Sequence, residues 1–133
     1  MSLTLETAEK IVEAGVAKAK ELGCVVAVAV ADYGGYTMAV SRMEGGIPLT
    51  ADVAENMAYT AAVFRATGKD LLPYAEQPWF VSLVTSSGGK VIAADGLLPI
   101  VIDGEVVGGV GAAGGTAEED LACCEAGLAA IAK

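Results

Sequence analysis

"LLPIVIDGEVVGGVGAAGGTAEED", residues 97–120, decides the fold. Two apolar runs flank Asp103-Gly104. An Asp-Gly pair between such runs is a strong hairpin signal, because both central residues of a type I′ turn need positive φ. Residues 98–103 and 105–113 are therefore expected to pair as antiparallel strands. Thr116-Ala-Glu-Glu119 then fits a capping box, with acids at the positive end of a closing helix. Six Gly lie within this stretch. Gly109 to Gly114 satisfies G-x-G-x-x-G literally. That fingerprint works between a parallel strand and its helix, at the start of a βαβ unit. Here it ends an antiparallel hairpin, and no later strand follows to carry a ribose-binding acid. Close backbone approach and helix entry are the preferred reading. A weaker alternative is an anion held by N–H groups at the start of the last helix.

Upstream, Ala8, Ile11, Val12, Gly15, Val16, Ala19 and Leu22 fall on one helical stripe. Thr4 as N-cap and Gly23 after the last turn bound a helix over 5–22. "CVVAVAVAD", residues 24–32, is a continuous β-rich run and reads as a strand covered on both faces. "DYGGY" turns the chain into a second arm over 36–43. A second helix is expected after Thr50 or Asp52, ending at Thr67-Gly68. Two Pro in residues 69–81 suggest a short helical turn and a loop. A turn at Ser87-Gly88-Gly89 leads to an expected strand over 90–94. The order is helix, two strands, helix, three strands, helix. Consecutive strands joined by tight turns imply an α+β fold with a five-stranded, mainly antiparallel sheet and flanking helices.

At 133 residues, one domain spanning 1–133 is expected. Mean hydropathy is +0.56, but no apolar run approaches the ~20 residues of a membrane span. The start, "MSLTLETAEK", lacks a basic region followed by an apolar one, so a cytoplasmic protein without a membrane anchor is expected. The net charge of −9 disfavours nucleic acid, since phosphate neutralisation needs a Lys/Arg stripe. Cys24, Cys123 and Cys124 have no metal-type spacing and read as reduced thiols. There is no His, which removes the commonest general base and the commonest zinc and haem ligand.

Arg42 and Arg65 each follow an apolar segment and would suit a carboxylate or propionate; an ion pair or solvated side chain is the plainer account. Tyr33, Tyr36, Tyr59, Tyr74 and Trp79 would line a pocket or pack at its rim. Asp32 beside Gly34-Gly35 reads as a turn former. No complete catalytic constellation and no metal cluster stands out.

Four segments in this order, "LTLETAEKIVEAGVAKAKELG", "VAVADYGGYTMAVSRMEGG", "AYTAAVFRATG" and "LPIVIDGEVVGGVGAAGGTAEED", resemble the GlcG/HbpS-like haem-binding family. That family also supplies the C-terminal domain of PduO-type corrinoid adenosyltransferases. The resemblance covers nearly the whole chain. It implies a profilin-like fold and homo-oligomers from dimers up to octamers. It also implies a small-molecule-binding accessory protein, with haem or another tetrapyrrole as ligand. It carries Arg42, Met43, Phe64, Arg65 and Pro99 to a ligand site around the sheet and neighbouring helices. Family members that bind haem commonly ligate iron through His. Here Tyr, Met, Cys or Lys would have to substitute, and Tyr36 and Met43 are the first to test. Two other readings stand beside this one. One is an isomerase or lyase acting on a small carboxylate, with Arg42 or Arg65 holding the anion. The other is an assembly module whose ligand site has decayed.

Overall fold

The computed structural model describes residues 3–133. Helix α1 spans Leu5–Leu22 with the expected ends: Thr4 Oγ1 accepts from Thr7 N, and Gly23 closes the helix at φ 77°. Strands β1 (Ala27–Asp32) and β2 (Thr37–Arg42) form a hairpin. Helices α2 (Thr50–Phe64), α3 (Gly68–Leu71) and α4 (Pro78–Ser86) follow, with a 3-10 turn at Leu72–Tyr74. Strands β3 (Leu97–Ile102) and β4 (Glu105–Ala113) form the second hairpin, and α5 (Ala117–Ala129) closes the chain. The sheet is antiparallel in the order β2-β1-β4-β3. The helices flank it, so the α+β expectation holds.

The Ala/Val alternation of β1 builds both layers. Ala27, Ala29 and Ala31 face α2, while Val28 and Val30 face α1 and α5. Ala29 pairs with Gly111 and Ala31 with Gly109, so the α2 side of the central strands is nearly smooth. Ala54, Ala58, Ala61 and Ala62 of α2 settle onto it. A Cβ on Gly109 would stand 2.3 Å from the Ala58 carbonyl oxygen, and one on Gly111 2.5 Å from that of Ala54. Both separations are impossible for real atoms. The glycines of β4 thus serve close backbone approach, as the preferred reading has it. On the other face Val28, Val30, Ile100 and Val110 meet Ile11 and Val12 of α1 and the two cysteines of α5. Each such Val or Ile contributes about 1.5–3 kcal/mol by burial. Asp103 at φ 52° and Gly104 at φ 80° complete the type I′ turn.

The sheet has four strands, not five. Residues 90–94 form no strand and pair with none. Ile92 N donates to Thr60 Oγ1 at 3.0 Å and Val91 N to Ser87 Oγ at 3.0 Å. Side chains of α2 and of the turn after α4 take these donors, so no ladder forms. Residues 69–81 hold the expected short helical turn, in α3 and the 3-10 turn, but where the expectation continues as a loop the chain enters α4. Pro78 stands at the start of α4, where its missing N–H has no helical partner to lose. The expected cap of α2 also differs: Leu49 sits at the N-cap without a side-chain bond, and Thr50 Oγ1 donates to Ile47 O. Helix α2 stops at Phe64, where Arg65 turns left-handed at φ 52°. Thr67 instead caps α3, in a capping box with Asp70.

Candidate functional site

The hairpin turn between β1 and β2 is held by one carboxylate. Asp32 Oδ1 accepts from Gly34 N at 2.9 Å and Tyr36 N at 3.0 Å. This is an Asx turn, the arrangement expected for Asp before Gly-Gly. It points Tyr33 and Tyr36 outward, at 63% and 75% exposure. Arg65 reaches the same place from the end of α2. Its guanidinium carbon lies 3.9 Å from the centre of the Tyr33 ring. Nη1 donates to the carbonyls of Tyr33 and Ala62. The left-handed turn at Arg65 makes this reach local, and the stacking fixes the cation. Beside the turn opens a cleft of about 700 Å³, lined by Leu3, Tyr33, Tyr36, Val106 and Val107 together with the carboxylates Asp32 and Glu105. That volume suits a small organic ligand. Its walls offer apolar surface, two phenols and two carboxylates, and Arg65 is stacked on one of the phenols.

Of the expected site residues, the structure brings Tyr36 and Arg65 to this end of the molecule. Phe64 is adjacent in sequence but stacks on Phe80, centroids 6.0 Å apart. Pro99 sits opposite Gly109 in β3, on the side that α2 covers. Arg42 and Met43 lie at the far end of β2, roughly 20 Å along the strand from Tyr36. Arg42 is exposed there. The Met43 sulfur accepts from Val26 N at 3.4 Å. Leu3, Val106 and Val107 were not singled out in the sequence; only the β1–β4 pairing of Asp32 with Gly108 brings the second hairpin beside the first.

Two further features have chemistry of their own. An open groove of about 750 Å³ runs between α1 and β2, floored by Val12, Val16 and Met38 and edged by Glu9, Glu13 and Lys20. The second feature lies near the start of α5, where Cys24 and Cys123 interact close to Asp120. Burial pushes the Asp120 carboxyl up to about 6, against the pull of Gly115 N–H at 2.8 Å, and Glu119 adds to the rise. Burial likewise pushes Cys123 up to about 12 and raises Cys24 and Cys124. These are protonated thiols at neutral pH, and none is a ready nucleophile. The described residues contain no group of three or more His, Cys, Asp or Glu placed to hold a metal ion. No described helix is long and apolar enough to cross a membrane.

Comparison with known proteins gives a consistent picture. The family described as haem degrading protein HbpS-like matches residues 3–129. An uncharacterized 15.0 kDa protein from the dhaT-dhaS intergenic region of Citrobacter freundii is 34% identical over 129 residues, covering 96% of this chain and 90% of that one. The crystal structure of an HbpS double mutant of Streptomyces reticuli is 30% identical, with a TM-score of 0.87, covering 100% of this chain and 89% of that one. The crystal structure of a PduOC–haem complex is 26% identical, with a TM-score of 0.89, covering 98% of this chain and 96% of that one.

Proposed function

The chain belongs to the HbpS-like family, and on that premise we propose that it is a homo-oligomeric accessory protein that binds a small ligand, with haem or another tetrapyrrole as its class. One observation carries the reading: a protein of the same fold over 98% of this chain has been solved as a haem complex.

The residues at the β1–β2 turn fit such a ligand without a His. Tyr36 offers an exposed phenol to the 700 Å³ cleft. Leu3, Val106 and Val107 would cover an apolar ring face. Arg65, already fixed on Tyr33, would meet a propionate with its remaining donors. Bound haem would supply an iron centre for ligand exchange or redox chemistry. The protein's part is to hold it, to exclude water from one face, and to provide the phenolate oxygen. Phenolate ligation of haem iron has precedent in other folds.

The test is a hemin titration of the purified chain followed by absorbance, with Tyr36→Phe and Met43→Ala beside it. The expected result is a saturable Soret shift at one haem per subunit, lost in Tyr36→Phe and kept in Met43→Ala. A flat, non-saturating response in the parent chain would overturn haem as the ligand. Saturation lost in Met43→Ala alone would move the site to the far end of β2.

A further inference from the structure

Helix α4 lies in a sparsely charged stretch of a strongly acidic molecule. Residues 71–89 contain one charged side chain, Glu76, in a chain of net charge −9. Yet the helix buries only Phe80 and leaves Trp79 at 48% exposure and Leu83 at 38%. The Trp79 ring is not loose. It packs on Tyr74 with centroids 5.7 Å apart and edge-on to Phe80 at 5.7 Å. Phe80 in turn stacks on Phe64 in the interior. An indole braced on two neighbours loses little freedom when it docks. One helical turn after Trp79, on the same face, Leu83 lines a pocket of about 310 Å³ with Tyr59, Val63, Phe64 and Val91, and Ser86 and Ser87 give it a polar side. A protruding indole thus stands next to a hollow with room for an indole.

We propose that this face joins two copies of the chain about a two-fold axis, each Trp79 seated in the other's pocket beside Leu83. This names the contact for the homo-oligomer of the proposed function and rests on that reading. A two-fold contact uses one patch twice, so a knob and a hole on the same patch are self-complementary. Aromatic anchors in a desolvated pocket are the usual hot spots of such contacts. Charge favours a second copy as the occupant: a chain this acidic repels its own copies, and self-contact is cheaper where like charge is sparse. Size agrees. Leu72, Tyr74, Trp79 and Leu83 present on the order of 400 Å² of apolar surface. A stable contact buries about 800 Å² per partner, somewhat over half of it apolar.

Trp79 is the only Trp, so its fluorescence reports on this contact directly. Light scattering and acrylamide quenching would be measured on the parent chain, Leu83→Arg and, as a control on the other side of α4, Val81→Arg. The expected parent is an oligomer whose Trp79 is protected from quencher. Leu83→Arg should halve the mass and expose Trp79 at unchanged circular dichroism, while Val81→Arg changes neither. A monomeric parent would overturn both this contact and the oligomer reading. An oligomeric parent with freely quenched Trp79 would overturn this contact alone. Should Leu83→Arg fail to fold, the quenching of the parent still decides.

Discussion

Replacing Asp120 by Asn should stabilise the protein, and by more at neutral than at acid pH. Asp120 is buried at 9% exposure, and its carboxyl is pushed up to about 6 by burial first and by Glu119 beside it. In the unfolded chain an Asp titrates near about 3.9. The folded state therefore keeps this proton to higher pH than the unfolded state does. Between those two values the folded state binds more protons, so stability falls as pH rises through the window. A gap of about two pKa units costs about 3 kcal/mol once both forms are ionised, and solvent at the rim of the carboxylate reduces this to about 2. At pH 5 roughly half of that cost is present. An Asn oxygen can still accept from Gly115 N and cannot ionise. Urea melts of the parent and Asp120→Asn should show the variant more stable by about 2 kcal/mol at pH 7.5 and about 1 kcal/mol at pH 5. Glu125→Gln removes the same charge from an exposed site on the same helix, and should shift stability by no more than about 0.5 kcal/mol. An Asp120→Asn gain equal at both pH values, or matched by Glu125→Gln, would refute the burial argument.

Gly111→Ala would drive a methyl into the α2 backbone, 2.5 Å from the Ala54 carbonyl oxygen. A loss of about 2–3 kcal/mol is expected, read as a lower urea midpoint, with α2 displaced from β4. Thr60→Val keeps shape but removes the hydroxyl that accepts from Ile92 N and donates to the Asn56 carbonyl. It should cost about 1–3 kcal/mol and raise hydrogen exchange at residues 90–94 while the sheet stays protected.

Elements governed by local chemistry were legible in the sequence. Helix α1, the β3–β4 hairpin and the α5 cap follow from Thr4, Gly23, Asp103-Gly104 and Thr116, each with a mechanism within four residues of itself. The failures come from partners distant in sequence. Residues 90–94 have strand composition, but Thr60, about thirty positions earlier, takes the Ile92 N–H. The two Pro of 69–81 were read as breakers, whereas Pro78 occupies the one helical position that tolerates it. The need for glycine at 109 and 111 comes from Ala58 and Ala54 of α2, about fifty positions earlier. The candidate site was half legible. Asp32 and its glycines announce the turn that presents Tyr36, but the cleft wall comes from Val106 and Val107 across a strand pairing.

That placement also orders the substitutes for a missing His. Cys123 and Cys124 are buried, and all three thiols are held protonated, so none offers a thiolate. Met57 is buried against the sheet, and the Met43 sulfur already accepts a backbone N–H. Met38 is half-buried in the groove between α1 and β2 and packs against the core. Lys90 lies over the ring of Tyr59 and is not among the residues that line the turn-end cleft. Among the described residues Tyr33 and Tyr36 both join exposure to the adjoining cleft; the Arg65 guanidinium covers the Tyr33 ring, which leaves Tyr36 as the freer phenol with an arginine one tyrosine away. A phenol must lose its proton to bind iron, so affinity at this site should rise with pH, opposite in sign to the Asp120 effect on stability. Hemin titrations between pH 6 and 9 would separate the two. Affinity that falls across that range would exclude phenolate ligation even if haem binds.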